Sequence, residues 1–294
     1  PVTSPPNSMA AVVQKKSILK TANDICTSPK TEKEEPLSDW IYVPENKPQV
    51  ATSLQVAPPI ISAVVASNAV QTYRIGKAFQ DLRESIISRG CKYQNNSLAS
   101  RRGYIAENFT ADTYNIDAVI RKSSDRAFVP ESNKNASADI VYKHGKKQAS
   151  LKYYKDAESS ARAQTNPDYK NQTRVVPSDQ VSDGKNYLNQ LANRNEMKGR
   201  VEAAETQRST ADLLEGVIKN SDENVQSMPL TRKNSDALAK SFDRNGVHEA
   251  NLDKALKNTG VVQKVRRAKM MNELQGIGIS TAIGLGTGFA IGII

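Results

Sequence analysis

Between Gly276 and Ile294 the chain carries no charged residue, although Asp, Glu, Lys and Arg make up 24% of the whole. Nineteen residues at helical rise span roughly 28 Å, close to the hydrocarbon thickness of a bilayer. Gly276, Ser280, Gly284, Gly288 and Gly292 recur every fourth residue, and Gly278, Ala282, Gly286 and Ala290 form a second small stripe. Such spacing lets helix backbones approach closely in lipid. In water the same glycines disfavour a helix by about 1 kcal/mol each relative to alanine, which leaves a flexible low-complexity tail as the alternative. The expectation is a glycine-zipper membrane helix over 276–294 that also offers a route to a homo-oligomer. Lys264, Arg266, Arg267 and Lys269 stand just before it, and by the positive-inside tendency they keep the body on the cytoplasmic side.

That body must be unusually polar, because mean hydropathy is -0.57 even with the tail included. A net charge of +10 and a pI near 9.4 suit nucleic acid or an anionic membrane surface as partner, without choosing between them. Residues 1–57 are rich in Pro, Ser, Thr, Asn, Lys and Glu with no sustained apolar period, a composition that predicts disorder. Trp40, Ile41, Tyr42 and Val43 form one short apolar patch there. Cys26 and Cys91 lie far apart and show no metal-ligand spacing, which reads as two reduced thiols. The two histidines, His144 and His248, sit in turn-like contexts and read as solvated. The chain starts at Pro1 without a signal-peptide pattern and stops inside an apolar run, as an excerpt of a longer protein would.

Residues 58–92 read as an amphipathic helix. Ala63, Ala66, Val70, Ile75, Phe79, Leu82 and Ile86 recur at mostly three- and four-residue intervals, and Gly90 is placed as the terminator. Residues 93–220 form the expected folded centre, since eight of the ten tyrosines fall between 93 and 187. A helix is predicted from about Ser97 to Phe109, with a short strand or turn near 114–120. A strand pair follows at 138–142 and 148–154, joined through His144-Gly145, and both arms alternate as half-buried strands do. Further helices are expected over 156–164 and, after a Ser178-Asp179 cap, over a long polar stretch to about Lys219. Residues 221–275 read as a basic helical connector broken by Pro229 and Gly246.

The strand pair carries the chemistry. A tight loop at His144-Gly145 places Asp139 across from Ser150, and the pleat then puts Asp139, Ser150 and Lys152 on one face. An acid and a lysine so arranged suit a hard divalent cation and an oriented water. The run Arg102-Gly103-Tyr104-Ile105-Ala106-Glu107, then Ala138-Asp139-Ile140, then Ser150-Leu151-Lys152 resembles the PD-(D/E)XK nuclease superfamily, which includes Holliday-junction resolvases and Mrr-type restriction enzymes. The resemblance spans residues 102–164. It implies an α+β fold, in which a small restriction-endonuclease-like core is flanked by long helices, and a Mg²⁺ site. By that resemblance Asp139 and Glu107 would be the metal ligands, Lys152 would act on the attacking water, and Gln164 would support it. Ser150 departs from the family, whose second acid belongs there. Either Gln148 or Glu107 compensates, or the domain binds without cutting. Lys143, Lys146 and Lys147 at the hairpin tip, and Lys155 after it, are expected phosphate contacts.

Three functions follow. The first is a membrane-associated nuclease-like protein of phage or mobile-element origin that binds or cleaves nucleic acid, with Mg²⁺ as cofactor. The second is a membrane-active glycine-zipper protein, a pore former or phage-delivered factor. The third is a non-catalytic structural adaptor.

Overall fold

The computed structural model describes residues 59–131 and 137–275. The expected disordered region over 1–57, the Trp40 patch and the glycine-zipper segment 276–294, with Gly276, Ser280, Gly284, Gly288 and Gly292, lie outside the described residues. No helix among the described residues is long and apolar enough to cross a membrane.

The chain folds as α+β, with long helices around a small mixed sheet. Helix α1 (Pro59–Lys92) and helix α2 (Leu98–Ile120) form the first pair. On α1, Ile75, Leu82, Ile86 and Ile87 are buried, as the three- and four-residue spacing requires. Gly90 does not end α1, which runs on through it. A Cβ at Gly90 would lie 2.4 Å from a ring carbon of Phe242, so glycine is placed there for close packing. Helix α2 starts at Ser97, whose hydroxyl accepts from the backbone N–H of Ser100. It continues to Ile120, so the strand or turn expected near 114–120 is helical. Tyr114, Ile116 and Ala118 are buried there, and the demand to cover the core outweighs the β-propensity of that stretch.

Strand β1 (Ile140–Tyr142) and strand β2 (Lys147–Leu151) form the anticipated antiparallel hairpin, with Tyr142 opposite Lys147 and Ile140 opposite Ala149. Phe128 adds an antiparallel bridge to Val141 on the other side of β1. Helix α3 (Ala157–Ala163), capped by the Asp156 side chain, carries the chain to strand β3 (Thr173–Val175), parallel to β2. A parallel neighbour needs such a crossover. Strand β4 (Leu214–Glu215) completes the order β1-β2-β3-β4.

The polar stretch after Pro177 is two helices rather than one. Helix α4 (Val181–Met197) and helix α5 (Val201–Leu213) meet at Gly199, whose φ of 70° turns the chain back. They cover one face of the sheet with Ala161, Val176, Leu188, Ala211 and Leu214. The other face carries the main core, where Ile140, Tyr142, Ala149, Leu151 and Val175 meet α1 and α2.

The region after residue 220 contributes to that same core. A short hairpin is formed by β5 (Lys219–Asn220) and β6 (Val225–Gln226), followed by helix α6 (Arg232–Ala239). A second hairpin, β7 (Phe242–Asp243) with β8 (Gly246–Val247), leads to helix α7 (Glu249–Asn258). Residues 261–275 form a last helix. Leu230, Leu238, Phe242, Leu252, Leu256 and Val261 all join the main core. Polar ties reinforce the closure. Asp117 of α2, almost fully buried, bonds Lys264 at 2.7 Å, Arg121 at 2.8 Å and the N–H of Gln226 at 3.0 Å. Burial would raise its pKa, but those donors hold it below the ordinary carboxylate range. Cys91 is buried at the end of α1 and is not a free thiol, contrary to the expectation of two reduced cysteines.

Candidate functional site

The open end of the β1–β2 hairpin gathers the first group. Asp139 enters the ladder by donating its N–H to the carbonyl of Ala149 at 2.9 Å, one step beyond the Ile140–Ala149 pair. Its Oδ2 accepts from the backbone N–H of Leu151 at 2.6 Å and from Lys152 Nζ at 3.3 Å. Both side chains are largely buried, with 23% and 17% of their surfaces exposed. The Lys152 ammonium also lies 4.7 Å from the centre of the Tyr169 ring, a favourable cation–π distance. Burial works against that ammonium, but the Asp139 carboxylate and the Tyr169 phenol outweigh it and hold Lys152 above the usual lysine range. Lys152 is therefore a cation at neutral pH, suited to steadying negative charge rather than to taking a proton.

Glu107, in the middle of α2, lies within electrostatic range of the same group. Burial and then the Asp139 carboxylate push its pKa up to about 8, while Arg89 and Lys152 pull the other way. It accepts no side-chain hydrogen bond among the described residues. A carboxyl held neutral by burial and by a neighbouring carboxylate, beside one fixed cation, is what an additional positive charge would help to ionise. Arg89 is itself held by Asn108 at 2.8 Å, and Asn108 donates to Ser85 at 2.9 Å, so the α1–α2 interface positions the helix that carries Glu107.

Ser150 and Gln164 lie close by in sequence but are otherwise occupied. Ser150 Oγ donates to Gln164 Oε1 at 2.6 Å, and Gln164 Nε2 donates at 2.9 Å to the carbonyls of both Ser150 and Val175. Both residues are fully buried. Gln164 thus ties β2 to β3 at their ends, a structural task. Gln148 is exposed.

The basic residues separate into two places. Lys155 follows Lys152 closely and is exposed, with only a loose 3.7 Å pairing to Asp156. It borders an open groove lined by Tyr154, Ser159 and Arg162. Lys143, Lys146 and Lys147 occupy the opposite end of the hairpin, roughly 17 Å away at about 3.4 Å per strand residue. Lys143 is already paired with Asp222 at 2.7 Å.

That far end holds a group for which no spacing in the sequence gives a signal. Asp125, His144 and Glu223 place one ligand atom each within 4.8 Å of one another and could hold a metal ion. His144 Nε2 lies 2.8 Å from Glu223 Oε1, so it is not merely solvated. The tip is built from three successive left-handed residues, Lys143 (φ 53°), His144 (φ 52°) and Gly145 (φ 79°), a conformation that costs about 1–2 kcal/mol at each non-glycine position. The N–H of His144 donates to Asp125 Oδ1 at 2.8 Å and so holds the turn. No family model, curated protein or solved structure matches this chain.

Proposed function

We propose that the chain is a nuclease-like, nucleic-acid-binding protein whose site is Glu107, Asp139 and Lys152, on a restriction-endonuclease-like core. The observation that carries this reading is the Asp139–Lys152 pair at 3.3 Å at the open end of the hairpin, with the Glu107 carboxyl near enough for Asp139 to raise its pKa. The order helix, hairpin, crossover helix and parallel strand supports it as well.

The two carboxyls fit Mg²⁺, a hard ion that prefers oxygen ligands and retains several waters. Glu107 and Asp139 would hold it, and it would supply Lewis-acid polarisation of a phosphoryl oxygen. The protein's own contribution is positional. Asp139 is fixed by the Leu151 N–H, and Lys152 is aimed by Tyr169 and Asp139. The Lys152 ammonium would stabilise charge developing on the phosphate. Lys155 and Arg162 beside the groove would take backbone phosphates. Ser150, sealed against Gln164, offers no replacement for a second acid on that strand, so Glu107 and Asp139 are the carboxyls left to hold the ion. A membrane tether through 276–294, with the body on the cytoplasmic side, belongs to the same proposal and rests on the sequence of that segment.

The test is cleavage and binding of duplex and branched DNA by the full chain, with and without Mg²⁺. Asp139→Asn should abolish Mg²⁺-dependent cleavage. Retained, salt-sensitive binding without cleavage in the wild type would mark a non-cutting form of the same site. Cleavage equal in the wild type and Asp139→Asn, or absence of both binding and cleavage, would overturn the proposal.

A further inference from the structure

We infer that Asp125, His144 and Glu223 form a second metal site, separate from the Glu107–Asp139–Lys152 group, that takes a zinc-class transition ion and clips the hairpin tip to the turn between β5 and β6. The inference does not depend on the nuclease reading.

The donor set argues for the class of ion. One imidazole nitrogen and two carboxylate oxygens suit Zn²⁺ and its neighbours far better than Mg²⁺ or Ca²⁺, which prefer all-oxygen shells. The ligands come from three parts of the chain, the segment after α2, the β1–β2 turn and the β5–β6 turn. One ion would therefore join all three.

Supporting contacts surround two of the three ligands, as they do in built metal sites. Asp125 has no accessible surface, yet its Oδ2 accepts from the Tyr114 hydroxyl and from Asn220 Nδ2 at 2.9 Å. Its Oδ1 accepts one hydrogen bond among the described residues, from His144 N–H, and so retains a lone pair. Glu223 Oε2 accepts from the Ser123 hydroxyl, which leaves Oε1 facing His144. Of the other charges close by, Lys143 and Asp222 pair with each other at 2.7 Å, and the Arg126 guanidinium donates to the backbone carbonyl of Asp125 at 2.6 Å. The His144 and Glu223 side chains are 46% and 30% exposed, so an ion has an entry path and room to keep solvent ligands.

His248 provides an internal comparison. It pairs with Asp243 at 2.8 Å and is 45% exposed, much as His144 is, but no third ligand belongs to it among the described residues. With two histidines in the chain, ring-nitrogen NMR reads both together. Chelator-stripped full-length protein should be titrated with ZnCl₂ alone. The His144 Nε2 resonance should move at about one equivalent while that of His248 stays in place. Competition with a zinc-sensitive dye should show affinity falling roughly tenfold or more in His144→Gln and in Glu223→Gln, since even outer partners of metal ligands cost about 10–100-fold. Both side chains are accessible, and far-UV circular dichroism would confirm that the variants fold. A Glu107→Gln/Asp139→Asn variant should keep the His144 response. The inference is overturned if His144 and His248 respond alike, if either ligand variant binds zinc as tightly as the wild type, or if the Glu107/Asp139 variant loses the response.

Discussion

Glu107→Gln should stabilise the folded chain in a strongly pH-dependent way. The carboxyl ionises near 4.5 when unfolded and near 8 when folded, chiefly through burial and secondly through Asp139. Above pH 4.5 the unfolded state releases a proton that the folded state retains, so stability falls as pH rises and levels off above pH 8. The sign is that of a group whose folded pKa is raised. Its contribution is fully present below 4.5 and is lost by 8. At 1.36 kcal/mol per unit, the loss reaches about 3 kcal/mol at pH 7. Glutamine has nearly the same shape and no charge, so it should remove that loss. Asp112, pushed up to about 7 by burial and by Asp81 against Ser85 and Arg89, adds a slope of its own, which Asp112→Asn would isolate. Urea unfolding followed by circular dichroism at pH 5 and pH 7.5 gives the comparison. The gap between Glu107→Gln and the wild type should be small at pH 5 and on the order of 3 kcal/mol at pH 7.5. Adding Mg²⁺ should narrow the gap at the higher pH if Glu107 is a ligand. A gap that does not change between the two pH values would refute the argument.

Gly90→Ala should destabilise, although alanine is ordinarily the better helix former by about 1 kcal/mol. The new methyl would meet the Phe242 ring at 2.4 Å, and overpacking of this kind costs about 1–3 kcal/mol. Thermal melts of Gly90→Ala with and without Phe242→Leu would check it, with partial recovery expected in the double variant. For 276–294, replacing Gly284 and Gly288 by leucine should preserve membrane partitioning and abolish close helix pairing. Fractionation and cross-linking read the two effects separately, and a wild-type chain recovered wholly in the soluble fraction would refute the membrane tether.

Local features of the chain were legible from composition and period. The β1–β2 hairpin and its register follow from alternation on either side of a tight turn, and the pairing of Tyr142 with Lys147 is found as expected. The cap at Asp156 and the amphipathic character of α1 follow from short-range rules in the same way. Local rules fail where distant chain decides a local outcome. Gly90 reads as a helix stop until Phe242, far along the sequence, is found against it. Residues 114–120 have strand-like side chains but extend α2 because the core needs them there. The polar stretch after Pro177 has one continuous helical period, and only the left-handed Gly199 with packing on the sheet divides it.

The two candidate sites divide along the same line. Asp139, Ser150 and Lys152 are strand neighbours, so register alone relates them, and the sequence by itself could place them together. Glu107 comes within electrostatic range of Asp139 and Lys152 only through the packing of α2. That Ser150 turns to Gln164 is likewise a matter of which helix covers which face. Asp125 and Glu223 lie 19 and 79 residues from His144, with no periodicity linking the three, and each reads as an ordinary turn residue. Side-chain period and turn chemistry act over a few residues and are written in the sequence. The meeting of three separate turns is set by how whole elements pack, and only the tertiary structure decides it.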